Sequence, residues 1–144
     1  MTTVNLGKGA TYTLDTRELD RILKGMPSKR DEIVAKAAFE IEANAKKLAP
    51  VDTGALKNSI FTKTKKRSGY RGAAADAQDK NPEVKNLPES EFEPGDNEAV
   101  VGSSVEYAFW VEIGHHKVSA RPFLGTAYEM VKAKFDKMLK ELVK

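Results

Sequence analysis

The chain has 144 residues, a formal net charge of +3 at pH 7 and a pI near 9.0, which fits one domain of residues 1–144 and is too mild an excess to indicate nucleic-acid binding by itself. It contains no cysteine, so disulfides and thiolate metal sites are excluded. The first residues lack a basic-then-apolar signal pattern and no uncharged apolar run reaches the length of a membrane span, so we expect a soluble chain without a targeting segment.

The first part of the chain predicts two short strands and a short helix. Residues 4–6 and 11–14 have strand composition and are joined by a glycine-rich turn at residues 7–9. Asp15 is a candidate N-cap for the helix that follows, which ends near Gly25.

A second, longer helix is predicted to begin at residues 28–31. Its apolar residues recur every three or four positions, as on one face of a helix. The stripe is rich in alanine, so this helix can lie close to a sheet; its members are Ile33, Ala37, Ile41, Ala45 and Leu48.

The sequence APVDTGALKNSI at residues 49–60 predicts a sharp corner. Pro50 cannot continue the preceding helix, and Asp52 is expected to cap a new short turn by accepting nearby amide hydrogens. Gly54 tolerates the backbone angles that such a reversal needs. The motif residues of this corner are Pro50, Asp52, Thr53, Gly54 and Leu56.

Residues 59–66 and 99–103 predict two strands, the first of which is basic. A basic strand is consistent with contacts to phosphates, with contacts to an acidic partner subunit, or with simple solvation. The candidate interface residues of this part of the chain are Lys63, Lys65, Lys66 and Arg67.

The stretch between these strands, residues 67–97, is polar and acidic and contains several glycines and prolines. It has too few large apolar residues to offset the entropy of ordering by itself. We therefore expect a long flexible loop inserted in a hairpin.

Residues 107–113 include Trp110, the only tryptophan, and the run fits either a strand or a helical turn. The bulk of Trp110 is expected to be buried in the core or against a neighbouring subunit, so Trp110 is a further candidate interface residue.

The last helix is predicted to start at Pro122, and its apolar stripe favours packing on its own sheet over an intermolecular coiled coil. Strands and helices occur in separate blocks. This arrangement predicts an α+β fold with a mostly antiparallel sheet, packed by the long helix of the N-terminal half and by the C-terminal helix.

A search for catalytic or metal-binding patterns finds little. His115 and His116 are adjacent, so a shared metal would need carboxylates from elsewhere, Glu112 being the nearest. No nucleophile motif or pair of catalytic carboxylates is present, so we expect no enzyme activity, metal or cofactor. Glu112 and Arg121 flank a turn at Gly114, and we predict that these charges pair, within the subunit or across an interface.

Several short pieces follow the corner in a fixed order. They are Val101 with Gly102, Tyr107 with Ala108, the run 111–114 that includes Glu112 and Gly114, and the run 120–124 that includes Arg121, Pro122 and Phe123, with Ala127 after it. In this order the pieces resemble the small head-tail joining proteins of long-tailed phages and prophages, also known as neck or tail-completion proteins. The resemblance covers most of the chain, from the first long helix to the C-terminal helix.

This resemblance implies a non-enzymatic virion protein of the neck or tail, assembled in the host cytoplasm. Such proteins act as oligomeric rings, expected here as a hexamer, that join the portal side of the head to the tail. The implied partners are other copies of the chain, head-completion or connector proteins, and tail-terminator or tail-tube proteins. DNA is expected only to pass through the ring, and no membrane partner is implied.

Two other functions remain open from the residues alone. One is a basic nucleic-acid-binding module that uses the strand containing Lys57 and Arg67, with Tyr70 stacking on a base. The other is a small hydrolase or metalloprotein built around Glu112 and His115.

Overall fold

A computed structural model of the chain describes residues 2–7 and 11–142. Residues 8 and 9 of the predicted N-terminal turn lie outside this described part. The strands are β1 (Thr2–Asn5), β2 (Thr11–Leu14), β3 (Ile60–Thr64) and β4 (Ala99–Ser103). The helices are α1 (Arg17–Ile22), α2 (Pro27–Leu48), α3 (Ala55–Asn58), α4 (Tyr70–Lys80), α5 (Ala108–Ile113) and α6 (Phe123–Leu142), with a 3₁₀ turn at Glu89–Glu91.

Within these residues the strands form a single sheet in the order β2-β1-β4-β3. β1 pairs antiparallel with β2 and parallel with β4, while β3 pairs antiparallel with β4. Two of these three pairings are antiparallel. The predicted α+β fold with a mostly antiparallel sheet is therefore confirmed.

One face of the sheet is covered by α2 and α6, which also pack against each other. α2 begins at Pro27, a favoured first position, and it presents small side chains that allow close approach to the strands. The predicted packing of the C-terminal helix on its own sheet is confirmed. The buried residues of α6 are Phe123, Leu124, Gly125, Ala127, Tyr128, Val131, Phe135 and Leu139.

The opposite face of the sheet carries a second apolar cluster. Phe61 of β3 and Val100 of β4 point to this face, where they meet Phe92 and Ala73 from the segment between the two strands. The rings of Phe61 and Phe92 pack edge to face with centroids 4.9 Å apart. The segment 67–97 therefore forms a second layer on the sheet.

This layer corrects the prediction of a loop without structure of its own at residues 67–97. Residues Tyr70–Lys80 form α4, and Phe92 is fully buried. The segment has few large apolar residues, but Phe61 and Val100 of the sheet provide the rest of the cluster. Its predicted flexibility is a separate property, which amide exchange measures.

β4 is an inner strand, and all five of its residues are buried because both faces of the sheet are covered. Gly102 is required at its position: a Cβ there would lie 2.4 Å from the carbonyl oxygen of Asn5 and 2.8 Å from the Phe92 ring. A larger residue would thus disturb both the parallel strand pair and the second apolar cluster.

Residues Ala108–Ile113, for which the sequence left strand and helix open, are helical and form α5. This short helix follows β4 and contacts α6. None of the helices in residues 2–7 and 11–142 combines the length and apolar character that a membrane span needs.

Candidate functional site

The corner at residues 49–60 turns the chain from α2 into β3. Ala49 leaves the helical conformation, with ψ of 133°, immediately before Pro50. Gly54 has φ of 91°, a left-handed value that favours glycine. Leu56 is buried in the main core. The corner is thus a change of chain direction fixed by a proline and a glycine.

Thr53, not Asp52, supplies the side-chain acceptor at this corner. Its hydroxyl oxygen accepts the amide hydrogen of Ala55 at 3.2 Å. Asp52 is exposed and makes no capping hydrogen bond to α3, so that part of the prediction is wrong. Burial, and then the negative charge of Asp52, raise the pKa of Tyr107 above its ordinary value. Asp52 therefore belongs to the surface around Tyr107.

Glu112 on α5 is only 2% exposed, which buries a carboxyl group beside the start of α6. Its Oε1 accepts the amide hydrogen of Leu124 at 2.9 Å, and its Oε2 accepts that of Gly125 at 2.9 Å. The Tyr12 hydroxyl donates to Oε2 at 3.2 Å. The carboxylate thereby satisfies two amides that a helix start leaves unpaired and lies at the positive end of the helix dipole.

This arrangement, which we name the Glu112 clasp, joins β2, α5 and α6 within one subunit. A Cβ on Gly125 would lie 2.8 Å from the Glu112 carboxylate and 2.9 Å from the Tyr12 hydroxyl, so glycine leaves the space that the clasp needs. Burial, followed by the negative charge of Glu112, raises the pKa of Tyr12. The hydrogen bonds of the clasp explain why a carboxylate is buried at Glu112 in structural terms, without a catalytic role.

Arg121 does not take part in the clasp. Its side chain is exposed and forms no ion pair within the described part of the chain, and only its backbone amide is engaged, donating to Val111 at 2.8 Å. The predicted ion pair between Glu112 and Arg121 within the subunit is therefore wrong, because helix amides satisfy the carboxylate. Burial also prevents Glu112 from reaching a neighbouring subunit.

Gly114 ends α5 and begins a tight turn. It has φ of 75°, and a Cβ there would lie 2.6 Å from the amide nitrogen of Ala120. The rings of His115 and His116 follow, with centroids 5.5 Å apart. Among the described residues, no group of three or more His, Cys, Asp or Glu side chains is placed to hold a metal ion.

The other predicted motif residues belong to the framework around α5 and α6. Tyr107 immediately precedes α5 and is partly exposed. Pro122 lies one residue before α6, and its carbonyl accepts the amide hydrogen of Thr126, so the helix starts one position later than predicted. Phe123 is buried in the main core.

The basic strand is partly neutralised within the subunit. The ammonium group of Lys63 lies 2.7 Å from the carboxylate of Glu89 and 3.1 Å from that of Glu93. Burial alone lowers the pKa of Lys63, but hydrogen bonds to Glu89 and Glu93 outweigh it and raise this pKa above its ordinary value. Lys63 thus holds the second layer on the sheet and is not available to a partner.

The other basic residues of this region, Lys65, Lys66 and Arg67, differ in whether they form ion pairs within the subunit. Lys65 is paired with Asp96 at 2.7 Å, an exposed contact. The side chains of Lys66 and Arg67 are exposed and form no ion pair within residues 2–7 and 11–142. Of the predicted basic interface residues, Lys66 and Arg67 are therefore the available ones.

A groove of about 590 Å³ lies between α2 and the end of β3; we name it the α2-β3 groove. Phe39 lines it and is 47% exposed. Two polar atoms of its lining residues, Oγ1 of Thr62 and Oδ1 of Asp31, are buried without a hydrogen-bond partner in the described structure. Its lining also includes Val34, Ala35, Lys66 and Arg67.

α5 exposes a second surface, which we name the α5 patch and define as Tyr107, Trp110 and Ile113. Trp110 is 47% exposed, so its predicted burial in the core is wrong and the alternative, a contact with a neighbouring subunit, stays a prediction. Phe109 packs edge to face on the Trp110 ring, with centroids 5.1 Å apart, and supports it from within the subunit.

Comparison with known families matches residues 16–114, about two thirds of the chain, to a model described as "Bacteriophage HK97-gp10, putative tail-component". The chain belongs to the HK97-gp10-like family. Searches of curated proteins and of solved structures give no match. The predicted resemblance to a phage head-tail family is thereby confirmed for residues 16–114 as membership of a tail-component family.

Membership of the HK97-gp10-like family makes this a structural protein of the phage tail-component type, a class that is in general non-enzymatic and belongs to the virion. The matched residues include the corner, the α2-β3 groove and the α5 patch. They end at Gly114, so α6 and the turn containing Arg121 lie beyond the match.

Sequence reasoning missed two features of this HK97-gp10-like chain. The buried layer could have been found from Tyr70, Ala73 and Ala77, which are spaced by three and four residues as on one face of a helix. The role of Glu112 as an acceptor for helix amides had no local signal, because its partners lie on α6 and β2.

Proposed function

We propose that this protein joins phage heads to tails as a ring, hexameric in the assembled neck, between the portal side and the tail. Membership in a family of tail components supports a role in the virion. The observation that carries the proposal is the exposed α5 patch, because a half-exposed tryptophan beside other apolar side chains is typical of a protein-protein contact.

Ring formation explains how small contact surfaces between subunits can give a stable connection between head and tail. Each subunit contacts two neighbours, so weak contacts are repeated around the ring and dissociation of one subunit requires two of them to break. The ring's faces then meet a connector or head-completion protein on one side and a tail-terminator or tail-tube protein on the other. DNA passes through the ring without being bound in a sequence-dependent way.

The packing of residues 67–97 changes which surfaces we assign to assembly. A free loop would gain contacts by ordering against a neighbouring ring. This segment already contacts the sheet through Phe92 and through the ion pairs of Lys63. We therefore assign the contacts between subunits to surfaces that are exposed in the subunit.

Deletion of the gene in the phage or prophage that encodes the protein tests the proposal. Electron microscopy of the lysate should show filled heads and separate tails that do not join, because the connecting part is missing. Wild-type protein supplied from a plasmid should restore joined particles. Normal joined particles in the deletion would overturn the proposed function.

The nucleic-acid-binding alternative is disfavoured by the charges on the strand itself. Lys63 and Lys65 are paired with carboxylates, which leaves few cations for a phosphate backbone. We expect the purified protein not to retard duplex DNA even at low salt. Retardation that falls steeply with rising salt would favour this alternative.

A further inference from the structure

We propose that residues 67–97 open and close as one unit, which we name the strap, and that the closed strap completes the α5 patch by forming one wall of the cleft beside Trp110. The patch is then competent to bind a neighbour only while the strap is closed. This inference rests on the proposed function, which uses the α5 patch as an assembly contact, and it adds a conformational control over that contact.

The cleft beside Trp110 is shared between the strap and the residues around α5. It has a volume of about 400 Å³. Its lining residues are Asn81, Glu83, Val84 and Lys85 of the strap, and Glu106, Tyr107 and Trp110 on the facing side. Opening of the strap therefore removes one wall of the cleft and exposes more of the Trp110 ring to water.

Backbone pairing joins the strap to the chain that leads into α5. Asn86 forms an antiparallel bridge with Val105, which lies between β4 and α5. Two backbone hydrogen bonds flank this bridge, with lengths of 2.6 and 2.9 Å. In that order, their donors are the amides of Leu87 and Glu106, and their acceptors are the carbonyls of Ser104 and Lys85. The strap thus holds the chain immediately before the α5 patch.

The strap can open without breaking the β3-β4 pairing, because its two ends are adjacent. Thr64 is opposite Ala99 in that pairing, so the strap leaves and rejoins the sheet at one end. α5 follows β4 beyond Ser103, at the other end. Of the buried side chains of the strap, only Phe92 is large. A segment with few buried apolar contacts opens at a lower free energy than the whole domain.

The ion pairs of Lys63 favour the closed strap. The side chain of Lys63 is 10% exposed, and its ammonium group contacts Glu89 and Glu93 of the strap. Without these carboxylates, the closed strap would leave a nearly buried cation unpaired, which is costly. The two carboxylate side chains are 43% and 67% exposed, so salt screens the pairs. Opening of the strap should therefore increase with ionic strength.

Native-state amide exchange tests whether the strap opens as one unit. Higher salt, or the double substitution Glu89→Gln and Glu93→Gln, should accelerate exchange about two- to fivefold at the helix-bonded amides of α4 and at Leu87, but not in α2. Asp136→Asn is the matched control, because it removes an exposed ion pair with Lys132 on α6, outside the strap. No acceleration, or equal acceleration in the control, would overturn the inference.

The fluorescence of Trp110 tests whether the strap shapes the cleft, because the chain has no other tryptophan. Phe92→Asp should hold the strap open, since it places a charge in the second apolar cluster. Acrylamide quenching of Trp110 should then rise by up to about twofold, since Trp110 is already 47% exposed. Sedimentation checks that the subunits are single, and protected α2 amides check that they are folded. Unchanged quenching in a variant whose α4 amides exchange freely would overturn the inference.

A disulfide provides the opposite change, a strap that is held closed. Asn86 and Val105 lie between the two flanking hydrogen bonds, the antiparallel arrangement in which opposed side chains are closest. This geometry suits a disulfide, and the chain has no cysteine of its own. When Asn86→Cys and Val105→Cys are added to Phe92→Asp, oxidation should return the quenching toward the wild-type value, and reduction should raise it again. Quenching that ignores a formed disulfide would contradict the proposal.

A joining assay connects the strap to assembly. Purified wild-type protein, added to the lysate of the gene deletion, should join its separate heads and tails. The Phe92→Asp variant with both cysteines should join about tenfold fewer particles when reduced than when oxidised, because the patch binds only while the strap is closed. Wild-type protein treated with the same oxidant and reductant is the control.

Failure of this inference is distinguishable from failure of the proposed function. If wild-type protein joins heads to tails and the reduced variant joins them equally well, the neck role is retained and control by the strap is rejected. Joined particles in the gene deletion itself would reject the neck role, whatever the strap does.

Discussion

The carboxylate of Glu112 accepts hydrogen bonds from two amides at the start of α6 and from the hydroxyl of Tyr12. These amides have no acceptor within their own helix. A buried carboxylate without such donors would be costly, because burial removes its hydration. Here the helix start supplies donors and a favourable dipole. The same group therefore stabilises the turn between α5 and α6 and fixes the orientation of the α5 patch.

Glu112→Ala should lower the free energy of unfolding by about 1–3 kcal/mol, because it leaves two buried helix amides and the partly buried hydroxyl of Tyr12 without an acceptor. Glu112→Gln should cost less, since one oxygen remains. Urea unfolding measures the stability of both variants, with Glu129→Ala, at an exposed position of α6, as the control. Equal stability of Glu112→Ala and the control would contradict the clasp.

At the corner, substitutions of three neighbouring residues should differ in their effect on stability. Gly54→Val should destabilise by about 1 kcal/mol or more because of the positive φ, and Thr53→Ala should cost about 0.5–1 kcal/mol through the lost acceptor. Asp52→Ala should change stability by less than about 0.5 kcal/mol.

Gly72→Ala is the matched control for the glycine substitution. Gly72 lies in α4 at negative φ with open space around its Cβ, so alanine should stabilise by up to about 1 kcal/mol. Thermal unfolding measures the set. A larger loss for Asp52→Ala than for Thr53→Ala would restore Asp52 as the cap.

At the scale of elements, the second layer depends on one aromatic side chain. Phe92→Ala should lower the free energy of unfolding by about 3–5 kcal/mol, because it opens a cavity between Phe61 and Val100. Phe39→Ala is the matched control and should cost under about 1 kcal/mol, since Phe39 is half exposed. Denaturant unfolding of both variants measures the difference.

Amide exchange tests the order of the same layer. The amides of α4 that are bonded within the helix should be protected in the free subunit, because Ala73 and Ala77 are buried. Exchange at the rate of an unfolded peptide throughout residues 70–80 would instead favour the flexible segment that composition predicted.

The ion pairs of Lys63 predict a specific alkaline behaviour. Its pKa is raised in the folded state, so its contribution to stability is complete below the unfolded value of about 10.4 and is lost as the pH rises through the folded value. The stability difference between wild type and Lys63→Met should therefore stay constant up to about pH 10 and shrink only above it, as Lys63 loses its proton in the folded state.

The tyrosines also titrate in that range, but they do so in both proteins and cancel in the comparison. Tyr70 is the nearest of them, and burial raises its pKa. Urea unfolding at several pH values measures the difference. A difference that stays constant with pH would show that Lys63 acts through packing alone.

The elements that sequence predicted well carry local signals. The period of apolar residues in α2 and α6, and the Pro50 and Gly54 of the corner, need no knowledge of distant residues. The packing of residues 67–97 on the sheet could not be inferred from their own composition, because half of the buried apolar cluster that holds them belongs to the sheet. Trp110 was ambiguous because an apolar residue is equally typical of a core and of an interface.

At the scale of the whole molecule, one sheet separates a large core from a small one, while the exposed surfaces lie at its two ends. Three of the charges that the sequence suggested for an active site or a nucleic-acid surface are engaged within the subunit: Glu112 by helix amides, and Lys63 and Lys65 by ion pairs. What remains available is apolar and partly charged surface, which suits a tail component that works by binding its neighbours.

The parallel pair of β1 and β4 has a consequence for synthesis on the ribosome. Thr2 pairs with Ala99, so β1 is made long before its inner neighbour exists, and the β1-β2 hairpin alone is only marginally stable. Contacts so distant in sequence form slowly. Nascent chains that stop before residue 99 therefore lack the inner strand β4. We expect proteases to degrade such truncated chains before they are incorporated into an assembling particle.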